Sequence, residues 1–418
     1  MSGNAAPRLR IVHVSDCYAP RLGGIEVQVA ELAHRQAEAG HETHVITATR
    51  AHDAEAGPPP AAGPRVHRVV AAMPFELPVH PRPAKHLNRL FDELKPDAVH
   101  VHIGAVSPFA WSAARCAQRR GLPLVATVHS IWDPVTSGIY RLLDGGWRWS
   151  RWPLVLTPVS EPAARPIRHV TRGRTRINVV PNGLDLQAWR PLPRPAAGTP
   201  AGTPGGTPAG TSAGPARRVR VVAVGRLAPR KQPLTLLRVL RAAAQQVGPE
   251  VGLQATIIGD GPAEASMRRY LQRHDMTGWV RLAGRVDRDQ LPQVLAGADV
   301  FVAPAVREAF GLAALEARTA GLPIIARSGT GIADFVTDGR EGLLADDEQE
   351  LTDAVARLAI DHELRDQIAA INRASAPARS AWPAVLAALE RCYALARPDA
   401  GAAMPPKLPS SPIEPSRP

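Results

Sequence analysis

The segment Glu308-Ala-Phe-Gly-Leu-Ala-Ala-Leu-Glu316 places seven residues between two carboxylates, directly after the apolar run DVFVAP. A helix opening near Phe310 would leave the amides of Phe310, Gly311 and Leu312 without internal partners, and such amides attract anions. Gly311 has no side chain to keep a ligand off the backbone. Eight residues of helix separate Cα atoms by about 12 Å, beyond the roughly 5–9.5 Å between the carboxyls of a glycosidase pair. The two glutamates are therefore expected to grip different parts of one ligand. The competing reading is a capped helix with a solvated glutamate.

A second cluster, Val224-Gly-Arg-Leu-Ala-Pro-Arg-Lys231, follows another apolar run. The planar fork of Arg226 suits two phosphate oxygens, and Lys231 adds a point charge; a solvated basic loop is the alternative. Only four of the 50 basic residues are lysine, at positions 85, 95, 231 and 407, so a lysine here departs from the chain's habit. Pro233 suits the first turn of a following helix. Gly23 and Gly24, in Pro20-Arg-Leu-Gly-Gly-Ile-Glu26, let a phosphate approach the start of a helix, or simply make a tight turn. A dinucleotide fingerprint needs a third glycine. None follows here, and the pairs Gly259/Gly261 and Gly329/Gly331 run into Glu264 and Asp334 instead. NAD binding, and with it an oxidoreductase, is disfavoured.

His129 closes the run VATVH, where it can bond a sugar hydroxyl or a reacting group, against a purely structural role. His100 and His102 alternate along one strand, but no third ligand stands nearby, so no metal is expected. Asp287-Arg-Asp289 has the spacing of a cation-binding pair, yet capping of the helical stretch that follows explains it better. Trp147-Arg-Trp-Ser-Arg-Trp152 interleaves aromatics with charge, as an interfacial anchor, an acceptor platform or a packed irregular segment.

These residues need a scaffold that brings loops together. The runs LRIVHV, HVITA, RVHRVV, AVHVHI, LVATVH, LVLTPV and INVV read as strands, then RVRVVAVG, LQATIIG, VRLAG, DVFVAP and LPIIAR. Helical patterns separate them, as in GGIEVQVAELAHRQAEAG, where Ile25, Val29, Leu32 and Gln36 share a face and Gly40 is the stop. Such alternation predicts an α/β chain with two Rossmann-like, doubly wound parallel-sheet domains facing across a cleft. Ligands of such sheets bind outside the carboxyl ends of the strands, where all the motifs above fall. The expected division is a domain over 1–190, a Gly/Thr/Pro-rich flexible linker over 191–216, a second domain over 217–380, a helix over 381–396 and a disordered tail over 397–418.

Composition narrows the function further. The chain has 418 residues and 45% hydrophobic residues, which excludes wholesale disorder. Three cysteines without a C-x-x-C pair exclude a disulfide scaffold or zinc ribbon and fit a cytoplasmic setting. No apolar run reaches 18 residues, and no secretory signal is visible. The net charge is +12, of which residues 1–190 carry +8, so an anionic partner is expected on that side.

The order GGIE, PDAVHVH, TVHS, VPNGLD, GRLAPRK, GDGP, GRV, EAFGLAALE and GLP resembles the retaining, GT-B-fold glycosyltransferases of family four, over about residues 8–396. The resemblance implies a nucleotide-sugar donor held mainly by the second domain. Glu316 would bind the ribose hydroxyls. Glu308 and the amides of Phe310, Gly311 and Leu312 would address the sugar and β-phosphate. Arg226 and Lys231 would neutralise the diphosphate, and Gly24, beside Gly23, would close over it. His129 would face the donor sugar, and the main chain at Arg285 and Val286 would meet the base. The stretch 380–395 resembles the family's last helix, which crosses back to the first domain. Two features depart from the pattern: the Gly-Thr-Pro linker, and Gly331-Ile-Ala-Asp334 where members often carry a small residue and Pro-Glu.

The expected activity is a metal-independent, cofactor-free transfer of a hexosyl unit from a UDP- or GDP-linked sugar. The acceptor would be an inositol phosphate, a glycolipid or another glycoconjugate. The basic half and the tryptophan cluster favour a phosphorylated or membrane-bound acceptor and peripheral contact at the inner membrane face, with no specific nucleic acid. Two other classes are a catalytically silent nucleotide-sugar binder and, less well supported, a basic nucleic-acid-binding protein.

Overall fold

Runs of β-branched residues without alternation are buried on both faces, as parallel strands must be. In the first half, β1 (Arg10–Ser15), β2 (Glu42–Thr47), β3 (Arg65–Arg68), β4 (Ala98–Ile103), β5 (Leu124–Val128), β6 (Leu154–Pro158) and β7 (Arg176–Ile177) form one sheet in the order β3-β2-β1-β4-β5-β6-β7. Every pairing is parallel. The crossovers run through α1 (Gly24–Glu38), α2 (Pro83–Leu94), α3 (Pro108–Arg119), α4 (Pro134–Trp147) and α5 (Glu161–Thr171). The structure, a computed structural model, describes residues 7–21, 23–51, 63–71, 80–193, 217–248 and 251–397. The Gly-Thr-Pro run over 194–216 and the tail over 398–418 lie outside them.

The second half repeats the plan. Strands β8 (Arg217–Val224), β9 (Val251–Ile258), β10 (Val280–Gly284), β11 (Val300–Ala303), β12 (Ile324–Arg327) and β13 (Gly342–Ala345) lie in the order β10-β9-β8-β11-β12-β13, all parallel. They alternate with α6 (Pro233–Val247), α7 (Glu264–Arg273), α8 (Leu291–Ala296), α9 (Leu312–Thr319), α10 (Glu348–Ile360) and α11 (His362–Ala374). The chain closes with α12 (Trp382–Leu395). Two strands differ from the sequence reading. INVV pairs only at its start, in a two-residue β7. β13 was not foreseen, because Gly342–Ala345 is four residues long and flanked by charges.

Gln36 lies within the buried face of α1, as its helical spacing suggested, and Gly40 follows the helix at φ +95°. α12 returns to the first sheet. Its Trp382, Val385, Leu389, Cys392 and Tyr393 share a core with Ile11, Val125 and Val155, and Trp382 Nε1 donates to Glu31 Oε1 on α1 at 2.9 Å. Gly183 is pinned in this joint. Gln28 Nε2 donates to its carbonyl at 2.9 Å, and its amide donates to Gln28 Oε1 at 3.0 Å. A Cβ at position 183 would overlap the Trp382 ring. Among the described residues no helix is long and apolar enough to cross a membrane.

Gly183→Ala therefore overpacks the joint and is expected to cost about 1–3 kcal/mol. Denaturant unfolding measures the loss, and Trp382 emission shifts red as α12 lifts away. A variant as stable as the parent would refute this packing.

Candidate functional site

In each sheet the strand order reverses at one point, between β1 and β4 and between β8 and β11. Such switch points open crevices at the carboxyl edge, and here the two crevices face one another. Gly24 starts α1 after β1, and a Cβ built on it would lie 3.8 Å from Leu312 Cδ1. The turn of the first domain thus meets the start of α9 in the second.

The helix after β11 opens at Leu312, two residues later than the sequence suggested. Phe310 is buried in the second domain's core and packs its ring on Phe335 at 5.5 Å. The chain must then turn sharply, and Gly311 does so in the left-handed region at φ +89°. A side chain there would also press on Ile332. The amides opened by the helix start are those of Leu312, Ala313 and Ala314, and Phe310 and Gly311 precede them.

Lys231 ends a short 3-10 turn, Pro229–Lys231, and Pro233 opens α6 behind it. The Lys231 ammonium donates to Glu308 Oε2, joining the loops after β8 and β11. Arg226 is exposed at the same edge, and its guanidinium has no partner among the described residues. Gly259 serves packing: a Cβ there would overlap the carbonyl of Gly225, and the Leu227 amide donates to Asp260 O at 2.7 Å.

Glu316, on α9, is 5% exposed. Burial pushes its carboxyl up to about 7, against the pull of Arg288; Glu31 across the cleft adds to the rise. Arg288 Nη2 comes within 2.8 Å of Oε1 but off the hydrogen-bonding direction, so Oε1 makes no hydrogen bond. The same guanidinium lies 5.4 Å from the Trp189 ring centre. Arg288, beside Glu316, is the candidate residue that the sequence reading missed. Asp287 and Asp289 were read as caps, yet the N-cap of α8 is Gln290, without a side-chain bond; the residue between them reaches the site. The signal was an arginine following Gly284-Arg285-Val286 at a strand end. Arg285 is exposed, and Val286 is half-buried beside the core of the second domain.

Two helix caps tie the domains together beside Glu308. Asp133 caps α4 by accepting from the Thr136 amide at 2.7 Å, and also accepts from Arg307 Nη1 at 2.8 Å. Ser160 caps α5 and donates its hydroxyl to the carbonyl of Ala309 at 2.5 Å. The Glu161 amide donates to Asp334 Oδ2 at 2.7 Å, within the stretch that departs from the family pattern.

His129 follows β5, with Nε2 3.1 Å from His102 Nδ1. The sequence reading found no third partner for His100 and His102. The structure supplies His13 from β1, with Nδ1 3.0 Å from His102 Nε2. In Trp147–Trp152 the packed reading prevails: Trp149 is fully buried and its Nε1 donates to the Tyr140 carbonyl.

A family model described as "Glycosyltransferase Family 4" matches residues 22–188, and one described as "Glycosyl transferases group 1" matches residues 218–361. The chain is 30% identical over 392 residues to a D-inositol 3-phosphate glycosyltransferase of Rhodococcus jostii, covering 82% of this chain and 79% of the relative. It is 28% identical to a GDP-mannose-dependent alpha-(1-6)-phosphatidylinositol monomannoside mannosyltransferase of Mycobacterium tuberculosis, covering 91% and 97%. Among solved structures, Anabaena HepE in complex with UDP and glucose superposes with TM-score 0.67 at 17% identity, covering 93% and 100%. Sucrose-phosphate synthase of Thermosynechococcus elongatus superposes with TM-score 0.71 at 20% identity, covering 93% and 98%. At such identities the likeness is one of fold, and the fold is GT-B.

Glu316 gives a testable pH signature. Its folded carboxyl holds a proton up to about pH 7, whereas the unfolded chain loses it near the ordinary 4.5. The folded state therefore binds the extra proton between those values, and this contribution to stability is lost as the pH rises through that window. Glu316→Gln cannot ionise, so its melting temperature should gain on the parent's between pH 4.5 and 8. A constant difference across that range would contradict the burial assignment.

Proposed function

The chain belongs to the family 4, group 1 glycosyltransferases, and on that premise we propose a retaining, metal-independent hexosyltransferase that uses a UDP- or GDP-linked sugar. The observation that carries this reading is the meeting of Gly24 and Leu312 across the cleft, with Lys231, Glu308 and Arg226 at the same edge. Breaking the bond between sugar and phosphate builds negative charge on a nucleoside diphosphate. Arg226, Lys231, the turn at Gly23 and Gly24 and the open amides at Leu312 are the groups available to stabilise it without a metal. Glu316 takes the ribose hydroxyls, and the main chain at Arg285 and Val286 takes the base.

Lys231 and Glu308 pair at a part-buried edge, where neither charge is sealed from solvent. A diphosphate can therefore claim the ammonium and release Glu308 to the sugar. His129 faces the sugar from the first domain. The acceptor hydroxyl attacks from the side the diphosphate leaves, and a leaving phosphate oxygen takes its proton. One glycosidic bond forms as the sugar–phosphate bond breaks, configuration is retained and no further base is needed. Domain closure keeps water from the donor.

For the acceptor, we favour a phosphorylated inositol or a lipid-linked inositol glycoside, the classes named for the two relatives above. The membrane side of this reading is supported by α4. Val135, Ile139 and Leu142 lie exposed along one of its faces, with Arg141, Arg148 and Arg151 also exposed. Each such apolar side chain contributes about 1.5–3 kcal/mol on full burial, and each arginine about 1 kcal/mol near an anionic surface. Ile139→Asp with Leu142→Asp should abolish cosedimentation with phosphatidylglycerol vesicles. A parent that stays in the supernatant removes the membrane from the proposal.

Arg226→Ala and Lys231→Ala should each lower transfer by about 100- to 1000-fold, since each removes a group aimed at developing charge. Turnover of UDP- and GDP-sugars, followed with inositol phosphate as acceptor, reads this directly. Full activity in either variant would take that residue out of the site, and strict dependence on an added cation, read by EDTA treatment, would overturn the metal-free chemistry.

A further inference from the structure

Four imidazoles line one face of the first sheet. His13 on β1 stands opposite His100 on β4, and His102 and Thr127 are partners in the next register. The rings stack, with centroids 4.4 Å apart for His100 and His102 and 5.3 Å for His13 and His102. Ligand atoms of His13, His100 and His102 lie within 4.8 Å of one another, a spacing that suits a metal. Yet every nitrogen of these three rings already has a protein partner. His13 contacts Gln36 at 2.7 Å and His102 at 3.0 Å. His102 also contacts His129. His100 contacts Tyr393 at 2.8 Å and Thr127 at 2.7 Å. The arrangement is a hydrogen-bonded chain.

A neutral imidazole carries one N–H and one bare nitrogen, so direction propagates along such a chain. Gln36 starts it. Its Nε2 donates to the Tyr393 hydroxyl at 2.8 Å, which leaves Oε1 to accept from His13 Nε2–H. His13 Nδ1 is then bare and accepts from His102 Nε2–H. His102 Nδ1 in turn accepts from His129 Nε2–H, and His129 Nδ1 is left bare. On the other arm the Tyr393 hydroxyl, already accepting from Gln36, donates to His100 Nδ1. His100 Nε2–H donates to Thr127, whose hydroxyl donates to Thr157 at 2.6 Å. Every donor finds an acceptor. Turning over the Gln36 amide would reverse every bond and place a proton on His129 Nδ1.

We propose that Gln36 is a positioning residue: acting through His13 and His102, it fixes the tautomer of His129 so that the cleft meets a bare Nδ1, an acceptor for a hydroxyl of the bound sugar. This rests on the reading of the cleft given above, but the tautomer itself does not. His129 is half-buried, and its Nδ1 has no partner among the described residues. It lines a small cavity with Gln28, Pro181 and Gly183. Burial keeps the relay neutral: His13 and His129 are pushed down to about 4, and His100 and His102 lie well below their ordinary value. Tyr393 belongs to α12, so seating of the last helix and the state of a cleft nitrogen are coupled by one amide.

Long-range proton–nitrogen NMR on ligand-free protein labelled with 15N-histidine tests the relay at pH 7 without any transfer reaction. His13, His102 and His129 should each show the Nε2–H tautomer. Gln36→Glu keeps an acceptor toward His13 and should preserve the His129 pattern. Gln36→Leu, and separately Tyr393→Phe, which keeps the ring, should move both His129 nitrogen shifts and lower kcat about tenfold with little change in KM for the donor. A parent His129 protonated at Nδ1, or His129 shifts identical in the parent, Gln36→Leu and Tyr393→Phe, overturns the proposal. If the tautomers behave as stated while nucleotide sugars fail to bind, the relay stands and the reading of the cleft falls.

Discussion

Lys231 and Glu308 hold one another across the mouth of the second sheet, and much of the site depends on that pairing. Each is carried by a loop at a strand's carboxyl end, where the backbone runs out of partners and the chain must turn. Without a ligand, a lone ammonium and a lone carboxylate at a part-buried edge would each bear a desolvation cost. Together they offset it.

The joint between the domains follows the same economy. Asp133 and Ser160 cap α4 and α5, as such residues do at helix starts. Each also bonds the loop that carries Glu308, through Arg307 and Ala309. One side chain thus ends a helix and positions a site across a domain boundary. Gly183, gripped by Gln28 and covered by Trp382, joins the connecting chain to both α1 and α12.

The first sheet makes an unusual choice in burying histidines where branched aliphatics would pack well. A buried polar group without a partner costs about 1–3 kcal/mol, so a face with four imidazoles survives only if its hydrogen bonds close. Gln36 and Tyr393, from helices that are remote in sequence, supply the missing partners. That requirement ties the seating of α12 to the histidine face of the first sheet.

What the amino-acid order determined by itself was local. Apolar runs fixed on strands, Pro233 on a helix start, and the GRLAPRK and EAFGLAALE loops on strand ends could all be read from neighbours within a few residues. The short β13 escaped because four residues carry too little pattern, and α9 began at Leu312 because burial of Phe310 forced the turn onto Gly311. Tertiary structure alone decided who meets whom. His13 and His102 are 89 positions apart and Lys231 and Glu308 are 77 apart; Arg288 reaches Glu316 only because β10 and β11 sit in one sheet. Such meetings depend on strand order and on where helices cross, which no local periodicity encodes.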